Sequence, residues 1–252
     1  MAIREYPKNR LKRKLANGDI GVIANGLNNS GICDFLGQFG FDAAFIDFEH
    51  GDVSWAELAD ISRACELWDM ATITRVNKLD EALILRTLDQ GAAGVVVPHI
   101  ITVDDAKLAA EACRYPPDGI RGVAGNRKSY GVSNYHIKAN AEIMCTALIE
   151  DIEAIDNLPE IIKVEGVDVF YIAPSDMAAS MGHTGNPELP EVQQEIKRAI
   201  EIVVDAGKIA GTLVNDQNVG KFLDMGVTCI GTAWQQWVAS GAEKFMDDLK
   251  NR

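Results

Sequence analysis

The sequence predicts an α/β protein built as a (β/α)8 TIM barrel, on three observations. Eight short apolar runs rich in Val, Ile and Ala recur along the chain, longer segments of helical period alternate with them, and ionisable residues gather where the runs end. Near-continuous apolar runs suit strands buried on both faces, as a parallel sheet requires, and eight βα units close naturally into a barrel. A doubly wound open sheet is the competing arrangement for the same alternation. No linker, low-complexity tract or charge block divides the 252 residues, so 1–252 reads as a single domain.

The first strand is expected at 20–26 (IGVIANG) and the second at 43–50 (AAFIDFEH). A helix follows at 54–68, where Ser54 and Glu57 have the spacing of a capping box. The third strand, 71–76 (ATITRV), leads to a helix at 79–91 closed by Gly91; the fourth, 94–100 (GVVVPHI), leads to a helix at 103–115. The stretch from Tyr115 to Tyr135, YPPDGIRGVAGNRKSYGVSNY, is long for a connection inside a compact domain and reads as a functional loop. Its place after the fourth helix puts it on the N-terminal side of the barrel, or against a neighbouring subunit. The remaining strands are expected at 145–151, 167–176, 209–214 and 228–234, with a helix at 190–207 between the sixth and seventh.

Composition narrows the function. A net charge of -13 argues against nucleic acid or an anionic membrane as partner, because neutralising phosphates needs a basic face. The cluster Arg10, Lys12, Arg13 and Lys14 is too short to overturn that. No apolar run approaches the roughly 18 residues of a membrane span, and the first ten residues lack the apolar core of a signal peptide. A cytoplasmic protein is expected. The five cysteines are odd in number and show no CxxC pairing, so they read as buried small hydrophobes rather than a disulfide framework or zinc site.

In a barrel the C-terminal strand ends share one mouth. Read in order they offer Asn25, then Asp47, Glu49 and His50, then Arg75, His99, Glu150, Asp176, Asn215, and Trp234 with Gln235. Glu150 and Asp176 end neighbouring strands, so their carboxylates can meet at one cation. An oxygen-only pair suits a hard divalent ion. His50 is the acid/base candidate, since an imidazole exchanges protons near neutral pH, and Asp89 is a candidate to orient it. Arg75 offers a permanent charge to polarise a carbonyl or hold an oxyanion, with an ion pair to Asp47 or Glu49 as its structural alternative. His99 either lines the pocket or bonds within the rim. The backbone amides of Ser175 and Asp176, opening a helical segment, can hold a carboxylate. Lysine is absent from every strand end, which speaks against Schiff-base chemistry.

FDAAFIDFEH, the arginine of TITRVN, LRTLDQGAAGVVVPHI, CRYPPDGIRGV, ALIEDIEAIDNLPEI, VDVFYIAPSDMAASMGHTGNPELPEV and GTLVNDQ together resemble the HpcH/HpaI family of metal-dependent class II pyruvate aldolases over nearly the whole chain. The resemblance implies a barrel of the phosphoenolpyruvate/pyruvate type, exchange of the last helix between subunits, and assembly as a hexamer, a trimer of dimers. It implies that Glu150 and Asp176 carry Mg²⁺, Mn²⁺ or Co²⁺, and that Arg75 faces the enolate oxygen. By the same route His50, paired with Asp89, serves as acid/base, and Ser175 and Asp176 hold the pyruvate carboxylate. The implied reaction is reversible cleavage of a 4-hydroxy-2-oxo acid to pyruvate and an aldehyde. A related enolate-forming lyase or decarboxylase, acting on oxaloacetate or a CoA thioester, and a non-catalytic small-acid-binding barrel are the alternatives. The chain departs from the family pattern at Phe48, Leu148, Ala173 and the TAWQQ end of the eighth strand, which bears on the acceptor rather than on pyruvate.

Overall fold

The computed structural model describes residues 4–251. Eight parallel strands form a closed barrel in chain order, β1 pairing with β2 on one side and β8 on the other, which excludes the open doubly wound sheet. The strands are β1 (Gly21–Asn25), β2 (Ala43–Asp47), β3 (Ala71–Arg75), β4 (Gly94–Val97), β5 (Met144–Ile149), β6 (Val169–Ile172), β7 (Ala210–Val214) and β8 (Cys229–Ala233). Each is shorter than its apolar run, and in all but β7 the run continues past the strand into the loop at the mouth.

The helices are α1 (Arg10–Ala16), α2 (Ser30–Gly37), α3 (Trp55–Leu67), α4 (Glu81–Asp89), α5 (Val103–Ala112), α6 (Tyr135–Glu142), α7 (Ile152–Ile161), α8 (Pro174–Ser180), α9 (Pro190–Asp205), α10 (Val219–Asp224) and α11 (Gln235–Lys250). The capping box at the start of α3 forms as its spacing requires, Ser54 accepting from the Glu57 amide while Glu57 accepts from that of Ser54. Gly91, at φ 112, ends the turn after α4.

Inside the barrel, Ile23, Ala43, Ile73, Val96, Met144, Leu148 and Val169 form one apolar cluster, floored by Leu11 and Leu15 of α1. The close approach of α1 requires glycine at the start of β1, since a Cβ on Gly21 would sit 2.5 Å from Leu11 Cδ1. The basic cluster at 10–14 lies on this helix. Arg10 and Lys14 both reach the fully buried Asp42 at 2.9 Å, Lys12 reaches Asp168 at 3.1 Å, and Arg13 meets Glu142. Its charge is therefore consumed in seating the helix. A larger cluster between strands and helices completes the core. All five cysteines are buried and unpaired.

The 115–135 loop packs on the N-terminal side of the barrel, bonding to the C-terminal ends of α3 and α4. Arg121 donates to Asp89 at 2.7 Å, and Arg127 and Lys128 close on Glu66 at 2.9 and 3.6 Å. Helix α11 has no buried residue and exposes Val238, Phe245, Met246 and Leu249. Among the described residues no helix is long and apolar enough to cross a membrane.

Candidate active site

The C-terminal mouth opens into a cavity of about 580 Å³, into which Asn25, Asp47, His50, Arg75, Ser175 and Asp176 all face. Strand register creates its most rigid element. Asp47 and Arg75 end β2 and β3 as direct neighbours in the ladder, so their side chains leave the sheet side by side. Arg75 Nε and Nη2 donate to the two Asp47 oxygens at 2.9 and 2.5 Å, and Nη1 lies 3.0 Å from Glu49 Oε2. Burial works against charge on both groups. It is outweighed: Arg75 holds Asp47 below the usual carboxylate range, and the two carboxylates raise the Arg75 pKa.

His50 stands just beyond β2 with its ring largely in solvent at the rim. The turn that carries it is tied down by Asp47, whose Oδ1 accepts the Glu49 and His50 amides at 3.0 and 3.4 Å. Gly51 closes the turn; a Cβ there would sit 2.2 Å from the Asp47 carbonyl oxygen. His50 Nε2 is 3.9 Å from Glu49 Oε2. Phe48 faces away from this arrangement and packs on Trp55, with ring centroids 4.6 Å apart.

Glu150 follows β5 directly and is only 3% exposed. It accepts the His99 amide at 2.8 Å. His99 takes a left-handed backbone, φ 53, and its Nδ1 lies 2.9 Å from Asp151 Oδ2 and 3.4 Å from Glu150 Oε1. His99 thus bonds within the rim and does not line the main cavity. Burial pushes the Glu150 carboxyl up to about 7, with the charges of Asp176 and Glu49 acting in the same direction against His99. A buried carboxylate crowded by two others fits a bound cation. The oxygen donors of Glu150 and Asp176 suit a hard divalent ion, while among the described residues His99, Glu150 and Asp151 form a group of three possible ligands whose atoms all lie within 4.8 Å of one another.

Three placements differ from the sequence reading. Asp176 does not end a strand: β6 stops at Ile172, and Asp176 lies in the first turn of α8, with Pro174 as first helical residue. The first helical bond there runs from Met177 to the Ala173 carbonyl at 3.0 Å, so the amides of Ser175 and Asp176 have no helical acceptor. Asp89 does not meet His50 within the chain. It ends α4, and barrel helices return toward the N-terminal face, so it joins Arg121 and Asn126 at the end remote from the mouth. Trp234 does not line the cavity; its ring packs beside α2 and α3 and donates to the Gly26 carbonyl at 3.0 Å.

The sequence reading passed over Asp52 and Tyr171, which line the cavity, and Asp151, which meets His99 at the rim. Tyr171 is detectable in retrospect, being in step with the inward-facing Val169 on β6. The contact of Asp151 with His99 joins two different loops and leaves no mark in local sequence.

A profile of the HpcH/HpaI aldolase/citrate lyase family matches residues 23–239. A 4-hydroxy-2-oxo-heptane-1,7-dioate aldolase of Shigella flexneri is 37% identical over 206 residues, 80% of this chain and 77% of that protein. Among solved structures, an HpcH/HpaI aldolase/citrate lyase family protein of Burkholderia cenocepacia J2315 superposes with a TM-score of 0.90 at 28% identity, covering 96% of this chain and 100% of the other. The citrate synthase SbnG superposes at 0.86 with 26% identity, covering 97% and 98%.

Proposed function

The chain belongs to the HpcH/HpaI aldolase/citrate lyase family, and from that premise we propose that it is a metal-dependent aldolase cleaving a 4-hydroxy-2-oxo acid reversibly to pyruvate and an aldehyde. The observation that carries the reading is the convergence of His50, the doubly anchored Arg75, and the Ser175 and Asp176 amides on one cavity, with the buried Glu150 carboxylate beside Asp176 in its electrostatic field.

In this reading Glu150 and Asp176 hold Mg²⁺, Mn²⁺ or Co²⁺. Such an ion, when bound, supplies Lewis acidity toward the carboxylate and keto oxygen of the pyruvate unit. The amides of Ser175 and Asp176 orient that carboxylate at the start of α8. His50 takes the proton from the C4 hydroxyl; the C3–C4 bond breaks, the aldehyde carbonyl forms, and the electron pair passes to the pyruvate fragment as an enolate. Arg75 faces the charge that develops on the enolate oxygen. Because Asp47 and Glu49 fix its guanidinium beforehand, little reorganisation accompanies the step. Asp89 has no part in it within one chain.

The bare apolar face of α11 supports exchange of that helix between subunits and assembly as a hexamer, a trimer of dimers. The five unpaired cysteines support a reducing, cytoplasmic setting. The test is a lactate-dehydrogenase-coupled assay with a panel of 4-hydroxy-2-oxo acids and each of the three metals. Metal-dependent pyruvate release is expected, and its absence with every substrate and metal would defeat the reading.

A further inference from the structure

Glu150 is held at the rim by a neighbour that the reaction itself does not use. His99 follows β4, Glu150 follows β5, and the two strands pair directly, with Val97 opposite Ala147. Past the strand end the segments stay joined, since the Ile100 amide donates to the Leu148 carbonyl at 3.3 Å. The loop carrying His99 is thereby fixed against the strand that carries Glu150.

Two groups of His99 converge on one oxygen of Glu150. The backbone amide donates to Oε1 at 2.8 Å, and ring Nδ1 lies 3.4 Å from the same atom. Amide and ring reach this one acceptor from a left-handed backbone, φ 53, which histidine, asparagine and aspartate enter more readily than other side chains. Oε2 has no bonding partner among the described residues, yet it is not sealed from solvent. One oxygen is tethered and the other is left for a ligand.

Asp151 completes the arrangement. Its Oδ2 lies 2.9 Å from His99 Nδ1, and because an ionised carboxylate only accepts, Nδ1 carries the hydrogen. Asp151 stands just before α7, where an aspartate commonly accepts the first helical amides, but its side chain makes no cap bond. Ser180 of α8 serves instead, its Oγ accepting the Ile152 amide at 2.9 Å. The Asp151 carboxylate is thus turned away from its own helix and committed to the imidazole. Glu150 lies in the repulsive field of Asp176 and Glu49, so its orientation toward a cation depends on the groups that hold it in place.

We propose that His99, oriented by Asp151, is a positioning residue: it holds Glu150 by Oε1 so that Oε2 faces the divalent ion, and does not itself ligate that ion. The proposal rests on the assignment of Glu150 and Asp176 as metal ligands. It is tested by titration calorimetry of Mn²⁺ into wild type, His99→Ala, His99→Asn, Asp151→Ala and the double variant His99→Ala/Asp151→Ala, with Glu150→Gln as the control for the ligand set. Thermal unfolding in EDTA checks that each variant is folded.

His99→Ala should raise the Mn²⁺ Kd roughly tenfold to a hundredfold, as for loss of a group that orients a ligand. Asparagine places an amide nitrogen where histidine has Nδ1 and tolerates the same backbone, so His99→Asn should recover most of the affinity. Asp151→Ala should weaken binding in the same sense, and the double variant no more than the worse single one, since residues acting as one unit do not add. Spin-echo spectra of bound Mn²⁺ should show no nitrogen ligand that His99→Ala removes. Wild-type affinity in His99→Ala, no recovery in His99→Asn, additive losses in the double variant, or a metal-bound nitrogen that vanishes with His99 would each overturn the proposal while Glu150→Gln still lost binding. Should His99→Ala not fold, Asp151→Ala decides, and unchanged affinity there overturns it. Were Glu150→Gln to bind Mn²⁺ as the wild type does, or the wild type not at all, the ligand assignment itself would fail and the role of His99 with it.

Discussion

Arg75 and Asp47 meet across the β2–β3 ladder in a two-pronged contact, with N–O distances of 2.9 and 2.5 Å. A planar guanidinium held by two parallel bonds has its remaining face fixed, and a lysine at the same place could satisfy only one oxygen at a time. Arg75→Ala and Arg75→Lys should both lower kcat by a factor on the order of a hundred or more, as for loss of an oxyanion donor. A steady-state assay that found only a raised KM would reassign Arg75 to substrate binding.

Glu150→Gln keeps the shape of the side chain and the bond from the His99 amide, but removes the charge. Mn²⁺ affinity, read by titration calorimetry, should fall at least about tenfold, with turnover lost across all three metals. Wild-type Mn²⁺ binding in this variant would remove Glu150 from the ligand set.

The barrel was legible in the sequence because strands buried on both faces must be apolar without alternation; GVVVPHI and CTALIED carry that signature. Their ends were less so. FIDFEH reads as one run, yet β2 stops at Asp47 and the next residues turn sharply over Gly51. The short α6 has no side-chain cap and starts from Asn134 in a left-handed conformation, so propensity does not announce it. Of the site, His50, Arg75, Ser175 and Asp176 were visible as polar groups closing apolar runs. Within one chain α4 carries Asp89 to the face opposite His50, where it meets Arg121, a separation that position in the sequence does not announce. The His99–Asp151 contact depends on loop geometry after β4 and β5, which no periodicity records.

Helix α11 offers a test of assembly. Phe245 and Leu249 are 64% and 53% exposed on an amphipathic helix with nothing buried in its own chain. If a partner covers them, Phe245→Asp should cut the mass found by light scattering to that of a smaller species, while a truncated oligomer keeps the barrel's circular dichroism. An unchanged mass would show that this face is not an interface.

Lys128 provides a pH signature at the far end of the barrel. Its side chain is buried beside Glu66 and flanked by Arg127 and Arg121, and burial, more than any neighbour, pulls its pKa from 10.5 down to about 8. Below pH 8 both folded and unfolded chains hold this proton, and the cost of burying the charge is present in full. Between 8 and 10.5 the folded protein has released the proton while the unfolded chain retains it, so the stability contributed by this group rises with pH. The gain across that window is about 3 kcal/mol at one pKa unit per 1.36 kcal/mol. Urea unfolding of wild type and Lys128→Met at pH 7 and pH 10 isolates it, because the titrations of tyrosines and other groups cancel in the difference. The wild type should gain on the variant as pH rises; parallel behaviour would mean that Lys128 stays charged throughout, with water or Glu66 stabilising it more than its burial opposes.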